Sequence, residues 1–316
     1  MDTNTQDSNW PNGYICSKDN WISYRWHRST SNPYPEQDFE IFLNPKKPAN
    51  IVPMDVAAKN VVEDICQKYN GKKIFVAMSG GIDSEYVAST LVSMNIDFTP
   101  IVVEIEDHNQ VDCWWVYKWC KDNNIEPLII QMPLLEYLSN VVEYSKKYYS
   151  KKTQGASILS KCFDIAQNNN GILISGCGFH ELYIPDPIMI QELIDPTLQN
   201  KIGYVFNETD ILKQLAAPNM PVVFFNWSPE ITLSFIAHRD PKLTTEENRF
   251  KIFKLNPRPK IGLPIANYNT VKDLSNSIIT KYGRLVALYP HIGTSDSYYL
   301  GTTENLIKLL TQTGNN

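Results

Sequence analysis

The chain has 316 residues, 43% of them hydrophobic, so it can bury a large core. Its net charge of −5 argues against a protein whose main task is to grip nucleic acid, because such proteins need a basic face. No apolar run is long enough to span a bilayer, the start of the chain lacks a secretory signal, and the six cysteines include no Cys-x-x-Cys pair. We therefore expect a cytoplasmic protein with reduced thiols, no membrane partner, no structural zinc and no disulfide framework.

The first part of the chain, residues 1–53, is predicted to form a polar tail and a small β-rich appendage. Residues 21–26 and 39–43 alternate between polar and apolar side chains, which is typical of β-hairpin strands. The proline-containing stretch 45–53 is typical of a linker.

From about residue 54 the pattern alternates between helix and strand. The predicted helices cover residues 55–69, 84–94, 109–123, 134–150 and 155–168, and the predicted strands cover residues 73–78, 99–105, 127–132 and 171–175. Such alternation predicts an α/β fold in which helices cover both faces of a doubly wound parallel sheet. We assign this α/β domain to residues 54–200 and a mostly helical C-terminal part to residues 201–316.

The most informative segment is residues 74–84, an apolar strand pattern that runs into Ser-Gly-Gly-Ile-Asp-Ser. An apolar run of this kind is typical of a buried parallel strand that stops where a ligand begins. Glycines let the backbone approach a bulky anion, and the helix predicted from Ser84 offers N–H groups to phosphates. Asp83 beside phosphates requires a cation between them, which indicates Mg²⁺.

This hexapeptide resembles the pyrophosphate loop (PP-loop) of the ATP pyrophosphatases, enzymes that adenylate a substrate with ATP and release pyrophosphate. It fits neither the Walker pattern nor the dinucleotide-binding pattern. The resemblance implies a fold of the adenine nucleotide alpha hydrolase-like (HUP) type, with ATP and Mg²⁺ as cofactors and Asp83 as a metal ligand. The residues that it assigns to the nucleotide here are Ser79, Gly80, Gly81, Asp83 and Ser84.

A second strand end lies at residues 101–107, Ile-Val-Val-Glu-Ile-Glu-Asp. In parallel sheets the ligand lies beyond the carboxyl ends of the strands. We predict that the backbone at Val103 and Glu104 pairs with the adenine edge of ATP. An ordinary strand with an acidic exit is the alternative that these residues leave open.

The third strand end lies at residues 174–183, Ile-Ser-Gly-Cys-Gly-Phe-His-Glu-Leu-Tyr. It resembles the second fingerprint of asparagine synthetase-like proteins, whose usual form is Ser-Gly-x-Gly-x-Asp-Glu-Leu-Phe. This resemblance covers residues 54–265 and implies that Ser175, Gly176 and Gly178 also contact the nucleotide. Residues 227–231 (Trp-Ser-Pro-Glu-Ile) predict the capped start of a helix. They fall where the asparagine synthetase-like family has its second, helical half.

Two positions of this fingerprint depart from the family. Cys177 stands where the family has a catalytic Glu, and His180 stands where it has a metal-binding Asp. A neutral His can act as a general base, and Glu181 offers the hard oxygen that Mg²⁺ prefers. We therefore predict His180 and Glu181 as catalytic residues and Glu181 as a second metal ligand. Cys177 is either an activated thiolate or a small buried filler.

A cation is needed where pyrophosphate leaves. The family uses a lysine of its helical half, and we take Lys251 for this catalytic role. The neighbouring basic residues Arg249, Arg258 and Lys260 are alternatives, and each is also compatible with a solvated surface charge.

The source of nitrogen is a further question that the resemblance raises. Glutamine-dependent synthetases begin with a glutaminase domain whose nucleophile is a cysteine after the initiator methionine. Residue 2 here is Asp2, and the β-rich appendage is too short for that domain. The nitrogen is therefore expected from ammonia, from an amine substrate or from a partner subunit that supplies ammonia.

Three functions remain open at this stage. The first is an AMP-forming amide ligase of the asparagine synthetase type, which takes a small-molecule carboxylate and an amine or ammonia. The second is a PP-loop enzyme that modifies a nucleobase or tRNA, for which the interleaved basic and aromatic residues 144–152 are the only favourable feature. The third is a catalytically degenerate ATP-binding protein. The aromatic residues of predicted helix 109–123 are typical of a core or a subunit contact, so a homodimer also stays open.

Overall fold

A computed structural model of the protein describes eleven stretches of the chain. These are residues 22–26, 39–43, 49–106, 108–134, 136–137, 154–176, 181–183, 203–206, 222–240, 242–258 and 298–312. The strands among them are β1 (Ile22–Trp26), β2 (Phe39–Leu43), β3 (Lys73–Ala77), β4 (Thr99–Ile105), β5 (Leu128–Met132), β6 (Gly171–Ser175), β7 (Glu181–Tyr183), β8 (Gly203–Phe206), β9 (Val222–Phe224) and β10 (Tyr298–Thr302). The α-helices are α1 (Met54–Lys68), α2 (Ile82–Ser93), α3 (Gln110–Asp122), α4 (Gln154–Asn168), α5 (Pro229–His238), α6 (Thr245–Phe253) and α7 (Thr303–Thr311).

The main sheet has five parallel strands in the order β5-β4-β3-β6-β9. Strand β3 lies at the centre, and the chain moves outward from it first through β4 and β5 and later through β6 and β9. This reversal of direction creates a switch point beside the carboxyl end of β3, which is where such sheets bind ligands. The predicted α/β fold with a doubly wound parallel sheet is confirmed.

Helices cover this sheet because alternate strand residues point to opposite faces. Val76, Ile172 and Ile174 join a buried cluster with apolar side chains of α1, α2, α3, α5 and α6. Helix α1 joins this cluster because its buried residues recur at helical spacing and form one apolar stripe. Helix α4 packs against β6, β3 and β4 and contributes Leu159 and Phe163, which are also buried.

The ends of the helices follow local chemistry. Three helices of the sheet, α2, α3 and α4, are each followed by an asparagine with positive φ, at Asn95, Asn124 and Asn170. Asparagine tolerates this left-handed conformation better than most residues, so it ends a helix without a glycine. Ser228 caps α5 by accepting a hydrogen bond from the Ile231 backbone N–H, with Pro229 at the first helical position, which confirms the predicted start.

Two smaller sheets are antiparallel. Strands β1 and β2 pair with Ile22 opposite Leu43, which confirms the strands predicted in the appendage. A second sheet has the order β10-β8-β7 and joins three segments that are distant in sequence. The sequence did not predict this sheet, and it did not predict β9, whose three residues give too short a pattern.

Helix α6 is held on α2 by an aromatic stack. The rings of Phe253 and Tyr86 lie 4.1 Å apart with an interplanar angle of 9°. The Tyr86 hydroxyl donates a hydrogen bond of 3.0 Å to the Met54 carbonyl at the start of α1. Tyr86 therefore ties α1, α2 and α6 together.

Phe253→Ala should destabilise the protein by about 3–5 kcal/mol, because it removes a buried ring and leaves a cavity beside Tyr86. Glu246→Ala, at an exposed position of the same helix, is the control and should change stability by less than about 0.5 kcal/mol. Urea unfolding measures both. Equal midpoints for the two variants would contradict the anchoring role of the stack.

Candidate phosphate-binding site

The loop after β3 is stabilised by its own two serines. The Ser79 backbone N–H donates to Ser84 Oγ at 3.2 Å, and Ser84 Oγ donates to the Gly81 carbonyl at 2.9 Å. Helix α2 begins at Ile82, two residues earlier than the sequence predicted, with Gly81 as its N-cap. Because glycine has no side chain, no N-cap side chain covers the first N–H groups of α2. A helix start of this kind is suited to an anion.

Glycine at position 80 serves packing against α3. Its φ is +75°, and a Cβ there would lie 2.2 Å from the Asp112 carbonyl oxygen in the first turn of α3. The sequence predicted that the loop glycines let the backbone approach a bulky anion, and for Gly80 this stays a prediction. The space that a side chain at position 80 would need is taken by the backbone of α3, which fixes the loop from that side.

Gly176 packs in the same way against the start of α2. A Cβ at Gly176 would lie 2.6 Å from the Asp83 carbonyl oxygen and 2.7 Å from the Ser84 backbone nitrogen. The first glycine of the second motif thus touches the end of the first motif. The structure therefore brings together Ser175, Gly176 and the Ser79–Ser84 loop, as the resemblance implied.

A buried asparagine that the sequence analysis missed supports this contact. Asn226 follows β9, is fully buried, and donates from Nδ2 to the Gly176 carbonyl at 2.6 Å. Its position just beyond the end of a strand is the kind of signal that marked Ser79 after β3. The signal went unnoticed because β9 itself was not predicted.

Arg249 is the basic residue of α6 that reaches the loop. Its Nη1 donates to Asp83 Oδ2 at 3.0 Å, and both side chains are about a quarter exposed. Lys251 pairs instead with Asp240 at 2.9 Å and is more than half exposed. Its catalytic role stays a prediction, and Arg249 is the alternative that lies at the loop.

A second arginine contacts the same turn of α2. Arg258 pairs with Glu85, and both side chains are largely buried, at 10% and 14% exposed. The guanidinium carbon of Arg258 lies 5.4 Å from the centre of the Trp115 ring on α3. Two acidic residues of the first turn of α2 are therefore each matched by an arginine from the C-terminal part of the chain.

The predicted adenine edge is already engaged by protein groups. Asn109 Nδ2 donates to the Val103 carbonyl at 2.9 Å. The Glu104 carboxylate accepts from the Tyr117 hydroxyl at 2.6 Å and from Gln131 Nε2 at 2.7 Å. Burial, followed by the hydrogen bond to Glu104, raises the pKa of Tyr117, so the phenol stays protonated at neutral pH.

Other predicted site residues stay predictions. Cys177, Gly178, His180 and Lys260 lie outside the described residues. The backbone of Glu181 begins β7 and pairs with Val205, while its side chain lies outside the description. Within the described residues no group of three or more His, Cys, Asp or Glu side chains is arranged to hold a metal ion.

Comparison with known proteins gives matches among solved structures alone. No family model matches the chain, and no curated protein matches it.

In the part of the chain that the structure describes, no helix has the length and apolar character of a membrane span.

Three similar solved structures are a synthetase for NAD, a synthetase for NMN and a tRNA thiolase. An NH3-dependent NAD synthetase from Campylobacter jejuni subsp. jejuni NCTC 11168, in complex with the nitrate ion, is 19% identical with a TM-score of 0.29; the match covers 39% of this chain and 56% of that enzyme. The NMN synthetase from Francisella tularensis is 15% identical with a TM-score of 0.33, over 72% of this chain and 94% of that chain.

The U34-tRNA thiolase from Methanococcus maripaludis is 14% identical with a TM-score of 0.37, over 73% of this chain and 74% of that chain. Identity and TM-score are low in all three cases. The functional interpretation therefore rests on the residues of this chain and not on these three matches.

Gly80→Ala should destabilise the protein more than Gly71→Ala, and the difference measures the contact with α3. Both glycines have positive φ, so each substitution incurs a backbone cost of about 1–2 kcal/mol. A Cβ at Gly71 meets no atom within 4 Å, whereas a Cβ at Gly80 collides with the Asp112 backbone. The collision should add about 1–3 kcal/mol in urea unfolding. Equal losses for the two variants would contradict the packing of α3 on the loop.

Proposed function

We propose that this protein binds ATP with Mg²⁺ at the Ser79–Ser84 loop and is an AMP-forming ligase of the PP-loop type. The observation that supports this most is the meeting of two motifs at the start of α2, where Gly176 packs on Asp83 and Ser84. The start of α2 offers backbone N–H groups to a polyphosphate, and the switch point of the sheet lies beside it.

Arg249 is the residue that we propose for charge neutralisation at the polyphosphate. It is placed at the loop by α6, which the stack of Phe253 on Tyr86 fixes to α2. A guanidinium is always charged and can bind two phosphate oxygens at once. Arg249 would therefore stabilise the negative charge that develops as pyrophosphate leaves.

Asp83 is the residue that we propose for Mg²⁺. A carboxylate oxygen is a ligand that Mg²⁺ prefers, and this one lies in the first turn of α2, next to the proposed phosphate positions. When bound, the ion would supply charge neutralisation between Asp83 and the phosphates. Arg249, which holds Asp83 in this structure, would then be released toward the polyphosphate.

The reaction that we propose joins a carboxylate to an amine or to ammonia. A carboxylate oxygen of the substrate attacks the α-phosphorus of ATP, the bond between the α-phosphorus and the bridging oxygen breaks, and pyrophosphate leaves. The nitrogen nucleophile then attacks the acyl carbon of the acyl-adenylate, loses a proton and displaces AMP. Modification of a nucleobase or tRNA would begin instead with attack of an oxygen of the base on the same α-phosphorus, with pyrophosphate leaving, and a degenerate protein would bind ATP without any such attack.

The products of ATP distinguish a ligase from other ATP-using proteins. Incubation with ATP, Mg²⁺ and a pool of carboxylates and amines should release AMP and pyrophosphate, because the loop resembles that of ATP pyrophosphatases. Chromatography of the nucleotides measures this. Release of ADP and phosphate would contradict the PP-loop assignment, and binding of ATP without any product would favour the degenerate protein.

Arg249→Ala should weaken binding of Mg-ATP by about tenfold to a hundredfold, because a charge-assisted hydrogen bond is lost. Arg249→Lys keeps the charge and should lose less. Lys251→Ala is the matched control on the same helix and should bind as the wild type does. Calorimetry that shows a loss for Lys251→Ala and none for Arg249→Ala would return the role to Lys251.

Asp83→Asn should remove the gain in ATP affinity that Mg²⁺ provides, while leaving metal-free binding equal or stronger because one negative charge is gone. Calorimetric titrations with and without Mg²⁺ measure both affinities. An unchanged Mg²⁺ dependence in Asp83→Asn would remove Asp83 from the metal site.

A further inference from the structure

Two side chains, Asn109 and Cys113, occupy the edge of β4 that was predicted for the base, and the Cys113 thiol donates to the Val103 carbonyl at 3.8 Å. Asn109 donates from Nδ2 to the Val103 carbonyl at 2.9 Å and accepts at Oδ1 from the Ile105 backbone N–H at 2.7 Å. Asn109 is 7% exposed. Its carboxamide therefore engages one acceptor and one donor of the strand, two residues apart, within the protein interior.

These two backbone groups point to the side of β4 on which β3 lies. Along β4, the Ile101 carbonyl accepts from Met78 on the β3 side, whereas the Glu106 N–H donates to Met132 on the β5 side. Backbone groups alternate in direction along a strand, so Val103 and Ile105 point the same way as Ile101. Strand β3 has ended at Ala77, and the chain there continues into the Ser79–Ser84 loop.

The carboxamide presents the same pair of groups as adenine. The amino group of adenine is a donor and its neighbouring ring nitrogen is an acceptor, which is the pair that a strand edge can bind. An asparagine side chain offers an NH₂ donor and a carbonyl acceptor in the same relation. Asn109 thus makes the two hydrogen bonds that a bound adenine would make at Val103 and Ile105.

Displacement of Asn109 would disturb the loop itself. Asn109 directly precedes α3, and its carbonyl accepts from the Cys113 N–H at 2.9 Å. The first turn of α3, which follows directly, brings the Asp112 carbonyl against Gly80. Moving the carboxamide away would remove the Asn109 hydrogen bond of the Ile105 N–H, leave the Val103 carbonyl to the Cys113 thiol, and pull on the helix turn that supports the loop.

We propose that Asn109 closes this edge to the base, so that the nucleotide is bound through its polyphosphate and adenine is not selected over guanine at β4. Asn109 is on this account a residue that determines specificity, and the proposal replaces the predicted adenine contact at Val103 and Glu104. It rests on the proposed function, since it concerns the base of the nucleotide whose phosphates lie at α2.

The test compares the dissociation constants of the wild-type chain for Mg-ATP, Mg-GTP and inorganic tripolyphosphate by calorimetry. ATP and GTP should agree within about threefold, since a missing base contact leaves little difference in binding free energy. ATP binding more than about tenfold tighter than GTP binding would overturn the inference and leave the proposed ATP site standing. If none of the three binds, the proposed function fails, and the inference fails with it.

Asn109→Ala opens the edge and should raise the preference for ATP over GTP by about fivefold to a hundredfold, the range for one bidentate base contact. Asn123→Ala is the matched control, because Asn123 bonds the Trp119 carbonyl at the other end of the same helix. It should leave the ratio of the two affinities unchanged. A folded Asn109→Ala with the wild-type ratio would overturn the inference.

Discussion

The contact of Gly176 with the first turn of α2 is the constraint on which the rest of the site depends. Strand β6 lies beside β3, and its exit would collide with the Asp83 and Ser84 backbone if residue 176 carried a side chain. With glycine there, two strand ends converge on one helix start. The start of α2, whose N-cap is a glycine, then lies at the switch point, which is the position proposed for the polyphosphate.

Three further elements are organised around this helix start. Asn226 holds the Gly176 carbonyl from β9, α3 closes on Gly80, and α6 brings Arg249 to Asp83. The Arg249–Asp83 pair is about a quarter exposed, so solvent screens it and it contributes little to stability. Its importance lies in position, because it keeps a cation beside the loop. The more deeply buried Arg258–Glu85 pair holds a later segment of the chain to the same turn.

Much of the fold followed from pattern alone. Apolar runs bounded by glycine located β3 and β6, and helical spacing located α1 to α4 within two residues of their ends. Local patterns failed where pairing is distant: β7, β8 and β10 are short segments that become strands through one another. Strand β9 was missed because its three residues give too short a pattern, and Asn226 was missed with it.

The motifs of the site were predictable from the sequence, but the side chains that contact these motifs were less so. The hexapeptide marked the loop because its chemistry is local. Four basic residues were plausible cations, and Lys251 was the one predicted, whereas Arg249 is the basic residue of α6 whose side chain lies at the loop. Which face of α6 meets α2 separates Arg249 from Lys251, and that depends on tertiary packing. The backbone at Val103 was predicted to contact adenine, and in the structure the side chain of Asn109, six residues later, donates to the Val103 carbonyl. A turn that folds back on its own strand leaves no periodic signal.

A crystal structure with a non-hydrolysable ATP analogue and Mg²⁺ tests the central claim most directly. We expect phosphate oxygens at about 3 Å from backbone nitrogens at the start of α2 and from the Arg249 guanidinium. Phosphates bound elsewhere, with the Arg249–Asp83 pair intact and the start of α2 untouched, would contradict the account.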